Sequence, residues 1–110
     1  LAIPKLASMD ISALHAKAEV AAEFLKQLAN PRRLMVLCEL VKGERSVGAL
    51  EAVTGLSQSA LSQHLAKLRE AELVATRRQA QTIYYSLADP GVRKVIAALY
   101  DLYCRPPRRR

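Results

Sequence analysis

Two groups of side chains in this sequence are equipped for chemistry. The first is Cys38 and Cys104, the only two cysteines in 110 residues, 66 positions apart. That separation is not the CxxC or CxC of a local metal or dithiol site. The second is LSQSALSQHLAKL, Leu56 to Leu68, in which Gln58, Ser59, Ser62, Gln63 and Lys67 alternate with leucines. At about 100° per residue, Leu61, Leu65 and Leu68 fall on one side of a helix and the amides and hydroxyls spread over the other. Gln and Ser offer donors and acceptors without the desolvation penalty of a full charge, which suits hydrogen bonding to base edges in the DNA major groove. A plain solvated helix face has the same composition, so this stretch alone leaves both readings open.

The surrounding elements favour the first. Ser46 is placed to cap a short helix carrying Val47, Leu50 and Val53, and Gly55 ends it before Ser57 caps the next, a tight helix-turn-helix. After Glu70 the pattern turns β-branched and aromatic in LVATRR and TIYYSL, split by Gln79, Ala80 and Gln81. This predicts a β-hairpin, with a longer or irregular tip because the Gly usual in two-residue turns is missing. Arg77, Arg78, Gln79, Gln81 and Thr82 thus follow the reading helix in the order of a winged helix, whose wing lies along phosphates or the minor groove. Lys67, Arg69 and the wing arginines are expected phosphate contacts, making affinity fall steeply with salt.

The remaining elements frame this module. Leu14, Ala18, Ala21, Ala22, Leu25 and Leu28 predict a first helix from Ser12 to Leu28, with Ala-rich flanks that let another helix approach. A second runs from Pro31 to about Lys42, with Asn30 as N-cap, Pro31 at the first helical position and Gly43 as terminator. Asp89 and Pro90 open a last helix with a broad apolar face of Val92, Val95, Ile96, Leu99, Leu102 and Tyr103. It ends near Cys104, because RPPRRR cannot continue it. The expected fold is mainly α with a small β-hairpin: a winged helix-turn-helix of four helices, two strands and a closing helix. Residues 1–110 form one domain with a basic tail at 105–110.

Composition agrees. Lys plus Arg number 17 against 10 for Asp plus Glu, a net charge of +7, which favours a polyanionic partner without separating DNA from RNA or anionic lipid. No apolar run approaches the roughly 18 residues of a membrane span and no basic-then-apolar leader is visible, so a cytoplasmic protein is expected. A permanent disulfide is not expected in a reducing cytosol, while a switchable one stays open. The two histidines, His15 and His64, have no catalytic sequence context, so no enzyme activity and no cofactor are expected. His64, on the edge of the leucine stripe, reads as a half-buried packing residue. Cys38 falls in the stripe Leu34, Leu37, Cys38, Val41, where a free Cys packs as a small hydrophobe. Cys104, at a helix end beside Arg105, is expected to be partly exposed.

The element order, together with LANPRRLMVL, SQSALSQHLAKLREAELV and QTIYYSL, resembles the ArsR/SmtB family of bacterial repressors over nearly the whole chain. The resemblance implies a homodimer built on the first and last helices, sitting on an imperfect palindrome of operator DNA with recognition helices about 34 Å apart. It also locates the family's metal sites. Where arsenic or cadmium sensors carry a CxC, this sequence has Ser46 and Gly48. Where zinc sensors use Asp, His, His and Glu, it has Asp89, Gly91, Leu102 and Arg105. Leu and Arg do not ligate a divalent metal, so no metal site of either kind is expected, and Asp89 serves as an N-cap. Cys38 and Cys104 resemble the pair in the persulfide-responsive BigR/SqrR/HlyU branch. By that resemblance, reactive sulfur species bridge the two thiols and the repressor leaves its operator. The alternatives are a repressor sensing peroxide through a disulfide, one sensing metal through Cys38, Cys104 and His15, and a DNA-binding protein with no inducer.

Overall fold

The computed structural model describes residues 8–106. Residues 107–110 of the basic tail lie outside them. Helix α1 (Ile11–Ala16) and helix α2 (Ala18–Leu28) stand where one continuous helix was expected. Asp10 caps α1 by accepting from the Ala13 N–H, while the Ser12 hydroxyl donates to Asp10 Oδ1 at 2.6 Å. The break falls at Lys17, whose φ of −109° and ψ of 11° leave the helical well and whose N–H turns back to Leu14 O. No residue of α1 is buried, so no core contact within the chain holds the two pieces in one register, and the amphipathic spacing does not reveal the joint.

Helix α3 (Pro31–Val41) begins as its sequence dictates. Asn30 Oδ1 accepts from the N–H groups of Arg32 and Arg33 at 2.9 and 3.1 Å, and Pro31 occupies the first turn. Strand β1 (Arg45–Ser46) then leads into helix α4 (Val47–Thr54), and helix α5 (Gln58–Glu70) follows the three-residue joint of Gly55, Leu56 and Ser57. Ser46 Oγ accepts from Ala49 N–H, Ser57 Oγ from Ala60 N–H, and Gly55 closes α4 at φ 70°. Thr54, the one polar residue among the buried side chains of the described residues, donates to Leu50 O at 2.6 Å and accepts from Leu56 N–H. Its hydroxyl thereby satisfies backbone groups that a buried turn would otherwise leave unpaired.

Strands β2 (Val74–Gln79) and β3 (Thr82–Leu87) form the hairpin, and helix α6 (Pro90–Tyr103) follows, capped by Asp89 through Gly91 N–H at 2.7 Å. The hairpin corrects the expected long tip. Gln79 pairs with Thr82, so only Ala80 and Gln81 turn the chain, and Ala80 takes the left-handed φ of 55° that Gly would normally supply. A third strand was not foreseen. Two-residue β1 pairs antiparallel with β3, giving the order β1-β3-β2 with Arg45 opposite Tyr85 and Ser46 opposite Tyr84. Two residues carry too little pattern to announce a strand, and its partner lies about forty positions away.

The core gathers Val36, Leu37 and Leu40 of α3, Leu50 of α4, Leu61, Leu65 and Leu68 of α5, Val74 of β2 and Val92 of α6, with Leu28 and Leu73. The α5 leucines bury as the helical wheel requires. Val53 does not join its expected helix face inside and stands 51% exposed.

Candidate DNA interface and thiol pair

Helix α5 is pinned from within by leucines at 0–1% exposure, so its opposite side must face outward. Gln58, Ser59, Ser62, Gln63 and Lys67 are all exposed there. Gln58 and Ser59 occupy the first turn, the part of a recognition helix that reaches base edges. The hairpin stands across a groove of about 520 Å³ from this helix, with Gln58, Ser62 and Arg69 on one wall and Gln81, Ile83 and Tyr85 on the other. Helix α5 and the hairpin therefore share one surface.

Strand parity divides the predicted wing residues. Arg78 pairs with Ile83 and Thr76 with Tyr85, which puts Arg78 on the face of the hairpin turned toward α5. Arg77 and Gln79, opposite Tyr84 and Thr82, are on the outer face. There the Arg77 guanidinium grips the Glu44 carboxylate with two bonds, Nε to Oε2 at 3.0 Å and Nη2 to Oε1 at 2.7 Å. Its Nη1 donates to Gln79 Oε1 at 2.8 Å, and its Cζ stacks 4.5 Å from the Tyr84 ring centroid. The hydrogen bonds from Arg77 hold the Glu44 carboxyl below the usual carboxylate range. Sequence reasoning missed Glu44, because nothing in a single sequence signals a contact spanning 33 positions.

His64, half-buried as expected, joins α5 to α3 by accepting at Nδ1 from Arg33 Nε at 3.4 Å. Desolvation first, then the nearby Arg33 and Arg32, lower its pKa. Arg33 Nη1 also donates to the Gln27 backbone and side-chain oxygens at 3.3 and 3.0 Å, so one arginine ties α2, α3 and α5 together.

The thiols correct the core reading of Cys38. Leu37 is fully buried, but Cys38 is exposed, as is Cys104 at the end of α6. Helices α3 and α6 pack together, and Arg93 Nη1 donates to Val41 O at 2.8 Å across them. Partial desolvation of the Cys38 sulfur, then the Glu39 carboxylate and a Cys104 thiolate, push the Cys38 pKa up, against Lys42. Arg105, next to Cys104, is engaged by Asp101 at 3.0 Å. Among the described residues no three His, Cys, Asp or Glu side chains gather around a common point, and Asp89 is spent on its cap.

Large apolar side chains remain on the outer flanks of α1, α2 and α6: Leu14, Val20 at 70% exposure, Leu25, Tyr100, Leu102 at 72% and Tyr103 at 80%. Among the described residues no helix is long and apolar enough to cross a membrane.

A helix-turn-helix with an exposed amide-and-hydroxyl face, flanked by a basic hairpin, defines a winged helix-turn-helix transcriptional regulator. Comparison with known proteins bears this out. Residues 30–76 match the model of the bacterial regulatory protein, arsR family. The chain is 60% identical to the nodulation protein NolR of Rhizobium meliloti over 81% of its own length and 73% of that protein's. It is 46% identical to the transcriptional activator HlyU of Vibrio cholerae over 92% and 94% of the two chains. The crystal structure of the transcriptional repressor BigR from Xylella fastidiosa superposes with a TM-score of 0.85 at 41% identity, covering 89% of this chain and all of that one. The chain belongs to the arsR family of bacterial transcriptional regulators.

Proposed function

We propose that this regulator is a cytoplasmic, single-domain homodimeric repressor that binds an imperfect palindrome of operator DNA and releases it when reactive sulfur bridges Cys38 and Cys104. The observation that carries the DNA reading is the exposed face of α5 set against its leucine-buried opposite side. Gln58, Ser59, Ser62 and Gln63 read base edges, Lys67, Arg69 and Arg78 neutralise phosphates, and Gln79, Gln81 and Thr82 bring the hairpin tip to the backbone. The apolar flanks of α1, α2 and α6 are the surface for a second copy, each such side chain contributing about 1.5–3 kcal/mol when fully covered. BigR, similar over 89% of this chain, is a transcriptional repressor, which favours repression here.

The sensing reading rests on two exposed thiols, one on α3 and one at the end of α6, two helices that pack together. Each thiolate takes the outer sulfur of a persulfide R–S–SH and releases RS⁻, leaving Cys–S–SH. Condensation of the two protein persulfides forms Cys38–S–S–S–Cys104 and expels H₂S, so sulfur and hydrogen balance without a further oxidant. Joining α3, beneath the recognition module, to α6, in the dimer flank, links the two halves of the switch. A differential of about 1–3 kcal/mol between the two dimer geometries weakens DNA binding about 5- to 150-fold.

The test is intact-protein mass spectrometry after separate exposure to a persulfide donor, peroxide, zinc and arsenite, each followed by a DNA titration. One inserted sulfur between the two cysteines, with DNA release in the persulfide arm alone, is the expected result. Equal release by peroxide through a direct disulfide, or tight zinc or arsenite binding lost on alkylation, replaces the persulfide reading.

A further inference from the structure

Every nitrogen of the Arg77 guanidinium has an acceptor: Nε and Nη2 on Glu44 and Nη1 on Gln79, with Tyr84 beneath the plane. Glu44 immediately precedes β1, the Ser46 of β1 pairs with Tyr84, and Tyr84 pairs with Arg77. The contact therefore crosses the full width of the sheet, from the innermost strand over the middle one to the outermost. It lies on the face away from α5, whereas Arg78 is on the face toward it. From these placements we infer that Arg77 is not a phosphate contact but the pin of a brace, Glu44–Arg77–Tyr84, that fixes the angle of the wing against the helix-turn-helix.

Glu44 is then a positioning residue for DNA binding, acting through Arg77. The anchor is well placed: two residues on, Ser46 caps α4, so whatever holds β2 to this corner holds it to the first helix of the reading module. An exposed ion pair between flexible side chains is usually weak. Here two parallel bonds, a third acceptor and an aromatic platform remove much of the freedom that such pairs retain.

This inference rests on the DNA-binding reading, and the experiment separates the two. Glu44→Gln, Arg77→Gln, the exchange Glu44→Arg with Arg77→Glu, and Arg78→Ala are titrated across a salt series. The probe is a duplex enriched by the wild-type protein from a randomised library. The brace predicts an affinity loss of about two- to fivefold for each Gln variant and recovery to within about twofold in the exchange. Both Gln variants keep the wild-type salt dependence, whereas Arg78→Ala lowers the slope of log affinity against log salt by about one. A further loss in the exchange, with a reduced slope in Arg77→Gln, makes Arg77 a phosphate contact and overturns the inference. Hydrogen exchange of the hairpin amides, measured without DNA, is expected to quicken in both Gln variants and recover in the exchange. Unchanged protection in the Gln variants also overturns it, whereas failure of the wild-type to enrich any duplex removes the DNA reading and leaves the brace to this last measurement.

Discussion

Arg33 Nε donates to His64 Nδ1 across 3.4 Å, so α5 is tied to α3 through an imidazole that must be neutral to accept. Desolvation and the two neighbouring arginines place the His64 pKa in the folded state below its ordinary value. The unfolded chain therefore takes up the proton first as pH falls. The stabilisation is complete above the unfolded pKa of about 6.5 and declines as pH drops through that value toward the folded one. Urea midpoints are expected to fall between about pH 7.5 and pH 5.5. His64→Gln, which keeps an acceptor but does not titrate, should show a smaller drop; an equal drop in both proteins would exonerate His64.

Cys38 and Cys104 belong to helices that pack together, and their proximity is measurable without any inducer. Because a Cys104 thiolate contributes to the raised Cys38 pKa, Cys104→Ser should shift the pH midpoint of Cys38 alkylation downward. An unmoved midpoint places the sulfurs too far apart for the proposed bridge.

In the proposed complex, Gln63 reads a base edge and Arg78 holds a phosphate. Gln63→Ala should cost about 1–3 kcal/mol on the preferred duplex and little on unrelated DNA. Arg78→Ala should weaken all duplexes alike and flatten the salt dependence. Matching profiles from the two variants would refute the assignment.

Ala80 holds a left-handed backbone at the wing tip, a conformation that costs an L-residue about 1–2 kcal/mol. Glycine relieves that strain and gives back part of the gain as unfolded-state entropy. Ala80→Gly is expected to raise stability by about 0.5–1 kcal/mol in urea unfolding, with no gain if the tip relaxes in solution.

Leu65, 1% exposed, is one of the three leucines that seat α5 on the core. Leu65→Ala should lower stability by about 2–5 kcal/mol and blunt DNA binding with it, whereas Ser62→Ala, fully on the outside, should leave the unfolding midpoint in place.

Local chemistry made most of the architecture legible. Asn30, Ser46, Ser57 and Asp89 each cap the helix their types announce, and the α5 leucine spacing named both the buried and the presented side of that helix. What escaped was set by tertiary context. The break at Lys17 lies in a segment with no buried residue to mark it, and β1 is defined by a partner far along the chain. Cys38 matched a core spacing but sits just off the buried arc, since Leu37 and Leu40 take the inward positions. Within the candidate site, the exposure of Gln58, Ser59, Ser62, Gln63 and Lys67 followed from periodicity alone. The separation of Arg77 from Arg78 required knowing which face of β2 turns toward α5, and the pairing of Arg78 with Ile83 and of Arg77 with Tyr84 supplies that.

The strand order β1-β3-β2 leaves two rims on the sheet, and neither invites company. One rim is only two residues long, and the other carries adjacent arginines at its middle. A foreign strand seeking the free N–H and C=O groups there meets either too little backbone or two bulky arginine side chains, Arg77 held by Glu44 and Arg78 beside it. The wing can therefore project into solvent, where a nucleic acid must find it, without templating the fibrous aggregation that exposed hairpins otherwise risk.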